Sequence, residues 1–180
     1  NLTAQGTAAG HLVNPGTQFE DWQDGYWLKA VSAGLESVLT ANKDASILSN
    51  GGYYNTALHV WGKSQAEFNG KTSITVQNGV DTARAVYVYD DYDGTTRAEF
   101  NDDLTISTAG SNATYLYGID VRAGGKVDVT KGLIMNDNNN ITWSLFAMGN
   151  DSKIDINSSA SGDVQVVGDV GGYDDGAVDM

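Results

Sequence analysis

One short pattern keeps returning along this chain. Ala66-Glu67-Phe68-Asn69 recurs as Ala98-Glu99-Phe100-Asn101. It returns in weaker form as Val127-Asp128-Val129-Thr130 and Ile154-Asp155-Ile156-Asn157, and Ser37-Val38-Leu39-Thr40 takes the same place upstream. The last positions are 40, 69, 101, 130 and 157, so the spacings are 29, 32, 29 and 27. A chain that repeats with a period of about 30 residues has to stack its repeats, because no single copy can bury its own apolar side.

Two further series keep the same cadence. After each copy and a short polar turn comes Ser46-Ile47-Leu48, Ser73-Ile74-Thr75-Val76, Leu104-Thr105-Ile106, Leu133-Ile134-Met135 or Val164-Gln165-Val166. Before each copy stands an aliphatic residue, in order Leu28, Leu58, Val86, Leu116, Leu145 and Val178. Two places later, on the same side of a strand, come Ala30, Val60, Val88, Gly118, Ala147 and Met180. Each repeat thus reads as three strands of about three to six residues. The punctuation agrees: the chain has 22 glycines, one proline and many Asn and Asp residues. Strands in register with their counterparts one repeat on predict an all-β fold, a right-handed parallel β-helix (a solenoid) of about six short coils. Adjacent coils should lie about 4.8 Å apart. Propeller blades, with four strands in about 40 residues, are too long for this period. We expect a single domain over 1–180, with 1–24 as an N-terminal cap or first coil and 25–180 as repeats of 27–33 residues. Within 20–42 the spacing of Trp27, Leu28, Val31, Leu35, Val38 and Leu39 also fits a short capping helix. The repeat frame at Leu28 and Leu39 favours strands.

The cadence of Asn112-Ala113-Thr114-Tyr115-Leu116-Tyr117-Gly118-Ile119, followed by Gly124-Gly125-Lys126-Val127-Asp128-Val129, resembles the passenger region of bacterial autotransporter adhesins. The resemblance runs over about residues 25–180 and lies in strand and turn rhythm, with no signature motif. It implies a pectin-lyase-like β-helix, export through a Gram-negative outer membrane and an extracellular place on the bacterial cell surface. The expected function is adhesion or self-association through a lateral face, without catalysis. The partner would be another copy of the chain or a host or bacterial surface ligand, protein or glycan. Family passengers usually have many more coils, so the chain reads as a head or a piece of a longer passenger. The alternative is a carbohydrate-active β-helix, either a polysaccharide lyase or a glycan-binding domain. A third reading is a structural stalk.

Composition narrows the chemistry. The formal charge is -13, which disfavours nucleic acid as a partner, since phosphate binding needs positive patches. Cysteine is absent, so disulfides and Cys-based zinc sites are excluded. No apolar run approaches the roughly 18 residues of a membrane span, so no membrane insertion by this segment is expected. There are two histidines and no GxSxG element, so no catalytic residues are assigned and the chain is read as a non-enzyme with no cofactor. Asp90, Asp91 and Asp93, ahead of Gly94, form a weak candidate for a metal loop. In calcium-loop register, position 1 is Tyr89 and position 12 is Phe100, so both anchors fail.

Strand alternation then assigns two outer faces. On the strand that precedes each copy, the outward positions read Lys29, His59, Tyr87, Tyr117, Phe146 and Asp179, then Val31, Trp61, Tyr89, Ile119 and Met148. We expect an interaction face at His59, Trp61, Tyr87, Tyr89, Tyr117 and Phe146, since contiguous apolar patches mark contact sites. On the copy itself, Glu67, Glu99, Asp128 and Asp155 point outward as a column of acids. Beside them stand Gln65, Arg97, Lys126 and Lys153, and three of these four offset the acids as a ladder of ion pairs. Thr40, Asn69, Asn101, Thr130 and Asn157 should stack at one turn, with amides bonded along the axis.

Overall fold

The computed structural model describes residues 2–5, 27–90, 94–108, 111, 113–136, 141–156 and 162–180. Among these residues eighteen strands follow one another in strict rotation around three sheets. The first two coils are β1 (Leu2–Gln5), β2 (Trp27–Ala33) and β3 (Val38–Ala41), then β4 (Ala45–Asn50), β5 (Tyr54–Trp61) and β6 (Gln65–Phe68). The middle two are β7 (Thr72–Gln77), β8 (Thr82–Tyr89) and β9 (Arg97–Phe100), then β10 (Leu104–Ser107), β11 (Tyr115–Arg122) and β12 (Lys126–Val129). The last two are β13 (Leu133–Asn136), β14 (Trp143–Met148) and β15 (Lys153–Ile156), then β16 (Val164–Gln165), β17 (Val170–Tyr173) and β18 (Ala177–Asp179). The first members of the coils make sheet A, the second sheet B and the third sheet C, each six strands deep. Among the described residues every strand pairing is parallel, β10 on β13 and β12 on β15 for example. This is an all-β solenoid of about five turns, consistent with a right-handed parallel β-helix, and no helix occurs among the described residues. Residues 27–33 and 38–41 are strands and not a helix. Leu2 of the N-terminal segment adds a rung beside Ile47.

Like stacks on like along the axis. In sheet C the inner column runs Leu39, Ala66, Ala98, Val127, Ile154 and Val178. Phe68 and Phe100 stack in the next column with ring centroids 5.1 Å apart and an 11° interplanar angle. In sheet A, Ile47, Ile74, Ile106 and Met135 form one column, and each is at most 1% exposed. These columns make one continuous apolar core, and its burial is the main force holding the coils together.

Sheet B departs from the expected frame in two ways. Its central strands β5, β8 and β11 are eight residues long, against the three to six expected. They are long because each turns a corner in mid-strand. Ala57 and Leu58 are both buried, as are Ala85 and Val86 and then Ser144 and Leu145. Successive side chains of a flat strand point to opposite faces, so two inward neighbours require a bend. Pairing passes from Thr56↔Arg84 directly to Leu58↔Val86, stepping over the bend. Small residues fill that place, and at Gly118 even a Cβ would collide with the Met135 methyl group and the Ser144 carbonyl.

The bend also corrects the register. Val31, Leu58, Val86, Ile119, Leu145 and Val170 form the aliphatic column. Leu28 and Leu116, expected in that column, belong to another one, opposite Asn55 and Ala83. Val178 lies in sheet C opposite Ile154. The coil from Val86 to Ile119 spans 33 residues, not 30. Val31 and Ile119, expected to face water, are core residues at 7% and 0% exposure.

The corners differ in how much length they tolerate. From sheet C to sheet A the chain passes from Ala41 to Ala45, Phe68 to Thr72, Phe100 to Leu104 and Val129 to Leu133 with three intervening residues each time, and only the last passage, from Ile156 to Val164, takes seven. From sheet A to sheet B the gap is three residues after Asn50 and seven after Ser107. From sheet B to sheet C it is three after Trp61 and seven after Tyr89. The three-residue passages of the corner between sheets C and A carry the side-chain ladders. Asn101 Nδ2 donates to Asn69 Oδ1 (2.8 Å), and Asn69 Nδ2 donates to Asn42 Oδ1 (3.1 Å). Thr130 Oγ1 continues the line by donating to the Phe100 carbonyl (3.1 Å). The upstream member is Asn42 and not Thr40, because Thr40 pairs with Glu67. Asn157 lies outside the described residues.

Candidate functional site

Beyond the bend, the outer face of sheet B presents two columns of side chains. One runs Ser32, His59, Tyr87, Asp120, Phe146 and Gly171. The other runs Trp61, Tyr89, Arg122, Met148 and Tyr173. Before the bend lies a third, Lys29, Thr56, Arg84, Tyr117 and Trp143. Parallel, in-register stacking puts the rings against one another. His59 lies flat on Tyr87 (5.1 Å between centroids, 7°) and beside Trp61 (6.3 Å, 13°). At the other end Trp143, Phe146 and Tyr173 contact one another at 5.3–5.5 Å. The array starts on a rung without a side chain: a Cβ on Gly34 would run into the Trp61 indole.

All six expected face residues lie on this surface, but not as expected. Tyr117 stands beside Arg84 in the column before the bend, because the 33-residue coil shifts it by three positions. Asp179 is on sheet C, opposite Asp155. Nor do the six project freely into water. His59, Tyr117 and Phe146 are 8–9% exposed, and Trp61, Tyr87 and Tyr89 are half-buried. They form a packed outer layer rather than a row of isolated rings.

The centre of that layer is charged, which the sequence reading missed. Asp120 is fully buried and accepts from Arg84 Nε on one oxygen (2.6 Å) and from Arg122 Nε on the other (2.9 Å). Arg84 covers the Tyr87 ring at 4.5 Å and Tyr117 at 5.5 Å. Arg122 covers Phe146 at 5.4 Å and Tyr117 at 5.9 Å. The available signal was that two of the chain's three arginines sit inside strongly apolar strands.

The surroundings fix the protonation of this layer. Burial, with Lys29 and Arg84 adding to it, drives His59 from 6.5 down to about 3, so its imidazole is neutral at ordinary pH. Its Nδ1 is buried without a hydrogen-bond partner among the described residues. Burial pushes the Tyr87 phenol up, so it too stays neutral. Neutral stacked rings around a carboxylate shared by two guanidinium groups suit contact and recognition.

Sheet C shows a second arrangement. Glu67, Glu99, Asp128 and Asp155 align in one column that continues to Asp179, with Gln65, Arg97, Lys126 and Lys153 beside it. Arg97 pairs with Glu99 and reaches Asp128 at 3.9 Å. Lys153 bridges Asp155 (2.9 Å) and Asp179 (3.1 Å), and these two carboxylates hold its ammonium above the usual lysine range. Lys126, expected in the same ladder, makes no ion pair among the described residues. It lines a shallow open pocket of about 520 Å³ with Asn150, Asp151, Lys153 and Asp175. Glu67 receives Asn101 Nδ2 at 3.4 Å instead of a cation. A separate ladder at the corner between sheets C and A was not expected: Lys71 pairs with Asp103 (3.1 Å) and Lys131 with Asp102 (3.0 Å).

Of the weak metal candidate, Asp90 is fully buried and accepts the Thr96 amide at 2.9 Å, a role in closing a turn. Asp91 and Asp93 lie outside the described residues. No group of three or more His, Asp or Glu placed to hold a metal ion occurs among the described residues. Compared with known protein families, curated proteins and solved structures, the chain matches none.

Proposed function

We propose that this solenoid is a non-catalytic extracellular surface module that binds through the outer face of sheet B, in the manner of an autotransporter passenger. Its partner is a surface ligand or a second copy of the chain. One observation carries this reading: rings from Trp61 to Tyr173 cover five successive strands of sheet B in two packed groups, joined at the centre by the Arg84–Asp120–Arg122 cluster. Solenoids bind along such lateral faces because stacking multiplies one contact type into a long surface. Buried aromatic and arginine anchors dominate the energetics of known interfaces. The charge of -13 and the absence of cysteine suit a soluble exported chain.

The test is the double variant Trp61→Ala/Tyr89→Ala. Both side chains are half-buried and lie outside the inner core. We expect the circular dichroism spectrum to be kept and adhesion to cells, or concentration-dependent association by light scattering, to fall at least about tenfold. Full retention of both by a folded variant rules out this face. A glycan partner is favoured by the combination of guanidinium donors with flanking aromatic rings, which suits a carboxylate on a pyranose whose C–H face lies against those rings.

A further inference from the structure

We infer that the Arg84–Asp120–Arg122 cluster is the binding site for a single carboxylate carried by a saccharide. The inference rests on the glycan side of the proposed function and names the ligand class.

The argument begins with charge. Two guanidinium groups share one buried carboxylate, which leaves one positive charge uncompensated in a layer made mostly of rings. Asp120 needs only one cation to be neutralised, so the second is held beside a like charge. An anion placed across from Asp120 would restore the alternation. Apart from Asp120, neither arginine has a hydrogen-bond or ion-pair partner among the described residues. Each arginine engages Asp120 through Nε, and its terminal nitrogens are not among the buried unpaired atoms, so they reach water, where the two parallel N–H groups of a guanidinium match a carboxylate. The groups are reachable: the arginine side chains are 12% and 24% exposed, whereas Asp120 below them is 0% exposed.

The rings supply the second half of the site. Tyr87 and Tyr117 back Arg84, and Tyr117 and Phe146 back Arg122, so each guanidinium plane is held in place before any ligand arrives. Aromatic groups flanking a carboxylate site offer the apolar C–H faces of a sugar a surface to lie on. A polyanion fits poorly. The site has one charge to neutralise, and residues 91–180 carry 15 acids against 5 bases, which repel a chain of negative charges.

The probes are 3′-sialyllactose (one carboxylate), lactose (neutral) and heparin (polyanionic), titrated into the parent protein by calorimetry or NMR. Sialyllactose is expected to bind at least about tenfold more tightly than lactose, the worth of one charge-assisted contact. Heparin should bind more weakly than sialyllactose at about 0.15 M salt. Arg122→Lys keeps the charge and a partner for Asp120 but loses the planar fork, and should remove most of the preference over lactose. Equal binding of sialyllactose and lactose overturns the inference, as does heparin binding more tightly or a preference unchanged in Arg122→Lys. Failure here is distinguishable from failure of the wider reading. If sialyllactose does not bind but Trp61→Ala/Tyr89→Ala still lowers association, the anion site is wrong and the adhesive face stands.

Discussion

The outer faces of sheets B and C are built on the same ladder, yet they handle stacked polar groups in opposite ways. In-register parallel strands place each residue about 4.8 Å from its counterpart, so any charge repeats next to itself. Sheet C keeps its column of acids at the surface and sets cations beside it, with Arg97 serving Glu99 and Asp128, and Lys153 serving Asp155 and Asp179. Sheet B interrupts its rings with one carboxylate, buries it completely and closes it from both sides with arginine. Water screens the first arrangement and is excluded from the second. The same geometry therefore gives a soluble flank that contributes little energy and a packed flank with little tolerance for change.

The sharpest way to break this comparison is to remove one carboxylate from each face. Asp120→Ala leaves two half-buried guanidinium groups facing each other and should cost about 3 kcal/mol in urea unfolding. Asp155→Ala, on the flank open to water, should move the midpoint only slightly. Equal losses from the two variants would mean that burial does not separate the faces.

Acid should sharpen the difference, because among the described residues only sheet B carries a buried imidazole. His59 has a folded-state value near 3 against 6.5 when unfolded, so between those values the unfolded chain binds the extra proton. Stability linked to His59 is fully present above pH 6.5 and is lost as pH falls from there toward 3. His59→Phe keeps a flat ring against Tyr87 and removes the proton uptake. The variant should gain on the parent by about 2 kcal/mol on going from pH 8 to pH 5, since 1.5 pH units are traversed below 6.5. Stability curves that stay parallel over this range would show that the ring is reached by water.

Sheet C is expected to give the smallest effect. Replacing Arg97 and Lys153 together with Gln should lower the melting temperature by about a few degrees at low salt, and about 1 M salt should erase most of the difference. Lys126→Gln should leave the melting temperature where it was, because its ammonium holds no acid among the described residues. A shift of the same size from Lys126→Gln would place it in the ladder after all.

Sheet C was legible in the sequence and sheet B only partly so, for a physical reason. The four-residue strands of sheet C alternate without interruption, so Ala66, Glu67 and Phe68 read in, out, in, and their counterparts in β9, β12 and β15 do the same. Sheet B breaks alternation at its bend, where two neighbours turn inward. Leu116 and Ile119 are both aliphatic and both buried on the same strand, so hydropathy alone could not decide which one continues Val86. Choosing Leu116 shifted the frame by three residues and placed Tyr117 in the column that Asp120 occupies. In that frame Arg84, Asp120 and Arg122 do not come together, since their meeting requires the 33-residue coil. The rings could be found because aromatic residues are conspicuous wherever the frame falls. The cluster that organises them could not.

The four three-residue passages between sheets C and A have a consequence for how such a chain can be altered. They act as the spine of a bound book: the Asn42–Asn69–Asn101 line and the Lys71–Asp103 and Lys131–Asp102 pairs all cross it from coil to coil. A foreign peptide spliced between Ala41 and Ala45 would cut that binding. The same peptide spliced between Ser107 and Tyr115, where the chain already spends seven residues, adds a flap that leaves the spine intact. New loops have room to arise at the two corners that flank the aromatic face, while the corner opposite holds the coils in register.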